Sequence, residues 1–99
     1  MNLIKDNLTN ISYLCKKYKV KNLYAFGSVL TPKFNDKSDI DLIVNFKNNE
    51  ISDPFQNFFD FIYDLQDLLG RKIDLVDESA ITNLTFKNRV LATRELIYG

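Results

Sequence analysis

Apolar residues recur at spacings of three and four through Leu3, Ile4, Leu8, Ile11, Leu14, Cys15 and Tyr18. That period predicts an amphipathic helix over residues 2–18 with a basic end at Lys16-Lys17. The pattern then changes. Val20 to Asn22 reads as a link, and the apolar run Leu23 to Phe26 predicts a buried strand over 22–26 that stops at Gly27-Ser28. A short helical turn is expected from Ser28 to about Thr31, limited by Pro32 and a polar loop to Ser38. A second strand is expected over 39–46, then a polar connector from Lys47 to Ser52. Asp53-Pro54 reads as an N-cap with proline at the first helical position. The helix that follows runs to Leu69, with Phe55, Phe58, Phe59, Ile62, Leu65 and Leu69 on one face, widened by Phe61 and Leu68, and Gly70 as its stop. A third strand is expected over 72–77, a short helix or turn over 78–85, a helix over 88–94, and an edge strand or docked tail at Leu96-Ile97-Tyr98. This order predicts one domain over 1–99 of α/β (α+β) class, a small mixed β-sheet flanked by helices.

Composition narrows the function classes. The chain has 13 basic and 13 acidic residues, so net charge is zero, which argues against an extended nucleic-acid surface. Histidine is absent, so imidazole acid-base chemistry and His-ligated zinc are excluded. The single cysteine, Cys15, has no internal disulfide partner, which suits a reducing cytoplasm. No apolar run is long enough for a transmembrane helix, and the N-terminus does not resemble a signal peptide.

Two features are odd for a purely structural segment. Asp39 and Asp41 sit two residues apart on an otherwise apolar strand, which places both on one face, with Ile40 and Leu42 on the other. Their charges repel and burial raises their pKa, so a positive partner is expected, and a hard divalent cation bound through oxygen fits. Gly27 lets the backbone approach a ligand, and Ser28 offers amide and hydroxyl donors suited to anionic oxygens. A third acid, Asp74, lies inside Ile73-Asp74-Leu75-Val76 and needs a reason to be there. If the third strand lies beside the second, Asp74 joins the other two. Three carboxylates next to a Gly-Ser turn would hold two magnesium ions against a nucleoside triphosphate, with Asp74 also able to accept a proton from an attacking hydroxyl. Asp77 is a rival for that role, but it faces the opposite way near the strand's end and reads as a turn or cap residue.

Gly27-Ser28, ten intervening residues, Asp39-Ile40-Asp41 and a later Asp74 in an apolar strand resemble the nucleotidyltransferase superfamily of DNA polymerase beta, and the short layout resembles its minimal nucleotidyltransferase (MNT) group. The resemblance implies the nucleotidyltransferase fold, triphosphate binding at Gly27 and Ser28, metal binding at Asp39, Asp41 and Asp74, and two Mg2+ ions with ATP as substrate. Asp74 would be the third ligand and the base. It further implies an MNT-type antitoxin that transfers AMP from ATP to a tyrosine of a HEPN-type toxin partner. Many relatives carry Ala-Arg-Gly shortly after the Gly-Ser. Here the corresponding stretch is Leu30-Thr31-Pro32, which leaves the triphosphate charge to Lys33, Lys37 or a cation from the partner.

Two other readings stay open: a binding module that neutralises a partner by occlusion, and transfer to a small molecule, which would call for an additional acceptor domain. The aromatic helix reads as core with part of its face free for a partner, and Lys16, Lys17, Lys19 and Lys21 as a solvated basic face.

Overall fold

Four strands in the order β3-β2-β1-β4 carry the structure, a computed structural model that describes residues 2–32, 34–35 and 37–99, with Asn2 and Ser28 described in backbone only. The N-terminal helix is split. Helix α1 spans Asn2–Lys5 and α2 spans Leu8–Lys17. The break falls at Asp6-Asn7, where the Asn7 side-chain amide donates to the Leu3 carbonyl at 2.8 Å. Asparagine offers the backbone this local alternative to a helical bond, so the uninterrupted helix expected over 2–18 becomes two. Ile4 and Ile11 still reach the core from either side of the break. Helix α2 ends at Tyr18, and Lys19 turns the chain in a left-handed conformation at φ 59°. The Lys19 carbonyl accepts from the Lys47 amide at 2.8 Å.

Strand β1 (Val20–Phe26) begins earlier than the apolar run alone suggests, because buried Val20 already pairs with Phe46 ahead of a register shift before Asn22. A 3-10 turn over Gly27–Leu30 follows, as expected for this stretch. Strand β2 (Ile40–Phe46) runs antiparallel to β1. After a 3-10 turn over Asn48–Glu50, helix α3 (Pro54–Leu69) crosses back so that β3 (Ile73–Asp77) pairs with β2 in parallel. The ends of α3 are as expected. The Asp53 carboxylate accepts from the Gln56 amide at 3.1 Å, and Gly70 closes the helix at φ 64°. Its inward face is the expected one except at Phe55 and Phe59. Phe61, Leu65 and Leu69, spaced by four, are buried, whereas Phe55 is 73% exposed and meets the Phe59 ring at a tilt.

Beyond a 3-10 turn over Glu78–Ala80, helix α4 spans Leu84–Thr93, four residues earlier than the apolar pattern suggests. Its start is set by the Asn83 side chain, which accepts from the Phe86 amide at 2.9 Å. Strand β4 (Glu95–Tyr98) then docks antiparallel on β1, which settles the tail as an edge strand.

The two faces of the sheet differ. Leu23 and Ala25 of β1, Ile40, Leu42 and Val44 of β2, and Ile73 and Leu75 of β3 pack with Ile11, Leu14, Cys15, Phe61 and Leu65 in one core. The alternation of a strand sends Tyr24, Phe26, Asp41, Ile43 and Asp74 to the other side. There Ile43 is fully buried but stands outside that core. Helix α4 touches this side through Phe86 against Phe26 and Arg94 over Tyr24.

Candidate active site

The odd acids fall at one end of that second face. Asp41 is the cross-strand partner of Phe26 on β1 and of Asp74 on β3. A parallel pair in register directs both side chains to the same face about 4.8 Å apart, so Asp41 and Asp74 are neighbours by construction. Asp39 sits immediately before β2 and is exposed, as is Asp74, while Asp41 is half-buried. Asp41 is also the electrostatic centre of the group. Burial raises its pKa above the ordinary carboxylate value, the charge of Asp74 and then of Asp39 raises it further, and a hydrogen bond shared with Asp74 adds to the rise.

Gly27 completes this corner. It follows β1 at φ 73°, and a Cβ there would lie 2.7 Å from Asp41 Oδ2. Glycine suits both the positive φ and the tight approach of the chain to that carboxylate. The backbone of Ser28 continues the 3-10 turn beside it. The Ser28 side chain lies outside the described residues, as does Lys33. Lys37 is exposed on the loop.

Among the described residues, no three His, Cys, Asp or Glu side chains close around one point as a finished metal site would. The acids instead meet with Asp41 in the middle. An all-oxygen donor set whose members repel one another is chemically suited to a hard divalent cation, which would offset the repulsion centred on Asp41.

The loop entering the site is held by a residue that sequence periodicity does not reveal. Arg71, just past the end of α3, donates to the carbonyls of Asn35 and of Ser38, the latter at 2.6 Å, and lies 4.6 Å from the centre of the Phe34 ring. Within the loop, the Asn35 side chain accepts from the Lys37 amide at 2.8 Å. The residue next to Asp39 is thereby tied to the start of β3. On the same face, Arg94 pairs with Glu78 and lies 3.8 Å over the Tyr24 ring, pinning the end of α4.

The remaining candidates resolve simply. Asp77 accepts from the Ser79 amide and hydroxyl as a cap. Cys15 is free and buried, and burial pushes its thiol up to about 12, so it is inert. Tyr18 donates to Asp64 and binds α2 to α3. Concavities of ≈ 280 and ≈ 240 Å3 lie along α2 and α3, and none of the three acids lines them. No helix among the described residues is long and apolar enough to cross a membrane.

The family model for polymerase beta nucleotidyltransferases matches residues 9–99. Among curated proteins, the chain is 40% identical to a Methanocaldococcus jannaschii protein named "Putative protein adenylyltransferase MJ0128", over 96% of this chain and 93% of the relative. It is 35% identical to a second, MJ1379, with the same coverage. Among solved structures, a minimal nucleotidyltransferase superposes with a TM-score of 0.77 at 23% identity, covering 92% of this chain and 89% of that one. A toxin-antitoxin crystallised with AMP-PNP gives 0.73 at 23% identity, covering 94% and 73%. A tri-AMPylated Shewanella oneidensis HEPN toxin in complex with MNT antitoxin gives 0.67 at 22% identity, covering 97% and 72%. These structural likenesses carry the fold.

Proposed function

The chain belongs to the polymerase beta nucleotidyltransferase family, and on that premise we propose that it transfers AMP from ATP to a tyrosine hydroxyl of a HEPN-type toxin, acting as its antitoxin in the cytoplasm. The observation that carries this reading is the corner where Asp41 meets Asp74 across β2 and β3 with the Gly27 backbone against its carboxylate. A purely structural strand has no use for mutually repelling acids in register.

In this reading Gly27 and Ser28 bind the triphosphate. Asp39, Asp41 and Asp74 hold two Mg2+ ions, which would lower the pKa of the attacking hydroxyl and neutralise the leaving pyrophosphate. The acceptor oxygen forms a bond to the α-phosphorus, the bond to the bridging oxygen of pyrophosphate breaks, and the acceptor proton passes to Asp74. Asp74 suits that role because it is exposed at the front of the group, while half-buried Asp41 anchors its centre. The acids lie on the face opposite α2 and α3, so the partner brings the acceptor to them.

The test is labelled ATP with magnesium and the product of the adjacent gene, or a HEPN-type toxin in its place. Label on the partner is expected, and Asp39→Asn or Asp41→Asn should abolish it without unfolding the protein. Absence of both label transfer and nucleotide binding defeats the proposal. Leu30-Thr31-Pro32, which supplies no cation beside the Gly-Ser turn, favours one competing reading, neutralisation by occlusion alone. An Asp39→Asn form that still neutralises the partner would establish that reading instead.

A further inference from the structure

Beside the acids stands an aromatic pair that the chemistry above does not use. Phe26, the cross-strand partner of Asp41, ends β1 immediately before Gly27. Its ring meets the ring of Phe86 edge to face, with centroids 6.1 Å apart and planes at 79°. Phe86 comes from the first turn of α4, and its backbone amide is held by the Asn83 cap. Although it contacts Phe26, Phe86 remains 38% exposed. A large ring held at its backbone and against a neighbouring ring, yet left partly open to solvent, is a ready stacking surface.

Resting on the nucleotidyltransferase reading, we infer that Phe86, buttressed by Phe26, is the stacking platform for the base of the bound nucleoside triphosphate and favours purines. The phosphates are taken at Gly27, adjacent to Phe26 in sequence, and Asp41 lies across the strand pair from Phe26 at about 5 Å between Cα atoms. One short stretch of β1 therefore leads from the phosphate end to the ring that supports Phe86. Stacking strength grows with the π-surface of the base, so an aromatic platform without a hydrogen-bonding code separates purine from pyrimidine better than adenine from guanine.

Binding is measured by calorimetry on the full chain with magnesium, using ATP, CTP and inorganic tripolyphosphate. Phe86→Ala and Phe86→Leu are each compared with Phe86→Tyr, with circular dichroism to verify folding. Phe86→Ala is expected to weaken ATP by about 5- to 150-fold, the effect of losing one aromatic-base stack. Phe86→Leu, which keeps bulk but not the π-face, should lose most of the same affinity, and Phe86→Tyr should retain it. Tripolyphosphate binding should be unchanged in all three, and the ATP preference over CTP should shrink in the first two. The inference is overturned if Phe86→Ala binds ATP as the natural chain does, if Phe86→Leu is indistinguishable from Phe86→Tyr, or if tripolyphosphate weakens in step with ATP. A natural chain that binds neither ATP nor tripolyphosphate overturns the nucleotide reading and this platform with it.

Discussion

Asp41 of β2 and Asp74 of β3 are direct partners across the only parallel seam among the described strands, and burial followed by the charge of Asp74 holds the Asp41 pKa above the ordinary value. The unfolded chain releases the Asp41 proton at a lower pH than the folded chain does. Stability is therefore lost as pH rises from the ordinary carboxylate range through the raised folded value, and none is lost below that range. Asp41→Asn is expected to melt higher than the natural chain at neutral pH and to match it in acid. Magnesium should raise the melting temperature of the natural chain but not of Asp41→Asn, since a ligand stabilises only the state that binds it. Thermal scans across pH, with and without magnesium, check both outcomes.

Gly27→Ala faces two penalties. Alanine at φ 73° costs roughly 1–2 kcal/mol. Its Cβ also lands 2.7 Å from Asp41 Oδ2, which displaces that carboxylate. Denaturant titration should show a loss exceeding the backbone cost. Adding Asp41→Ala should recover the clash portion and leave the backbone portion, a non-additivity that a double-mutant cycle measures directly.

Arg71→Gln removes the donors that hold the Asn35 and Ser38 carbonyls and the cation over Phe34. Faster amide exchange is expected in the loop before Asp39, together with slower AMP transfer and a stability loss of about 1 kcal/mol, typical of a partly exposed charged hydrogen bond. Arg71→Lys should not rescue the loop, because a point charge cannot serve two carbonyls and stack on a ring at once. Exchange measured by mass spectrometry distinguishes the loop from the helices.

Lys19 turns the chain at φ 59°, where a side chain is strained. Lys19→Gly is expected to stabilise the protein by up to about 1 kcal/mol in urea titration, while Lys19→Ala, equally strained, should not.

Much of this site is legible in the chain because its parts are local. Gly27 ends an apolar run, Asp39 and Asp41 obey the strand period, and Asp74 interrupts an apolar strand, so each declares itself within a few residues. The caps at Asp53, Gly70 and Asp77 are legible for the same reason. What the sequence hides is pairwise and distant. Arg71 reaches a loop more than thirty residues away, and Phe86 meets Phe26 across sixty. No periodicity links such positions. The helix break at Asn7 and the early start of α4 at Asn83 escaped the apolar pattern because a polar side chain, not a hydrophobic face, decides them. Phe55 stays outside the inward face of α3 because burial follows the partner surface as well as the helical period.

The fit between position 27 and position 41 constrains how the protein can vary over time. A methyl group at 27 would meet the Asp41 carboxylate at 2.7 Å, so position 27 can change only if the side chain at 41 moves aside. Any residue that replaces the glycine should therefore be accompanied by a smaller, uncharged side chain at 41 or by a rebuilt corner.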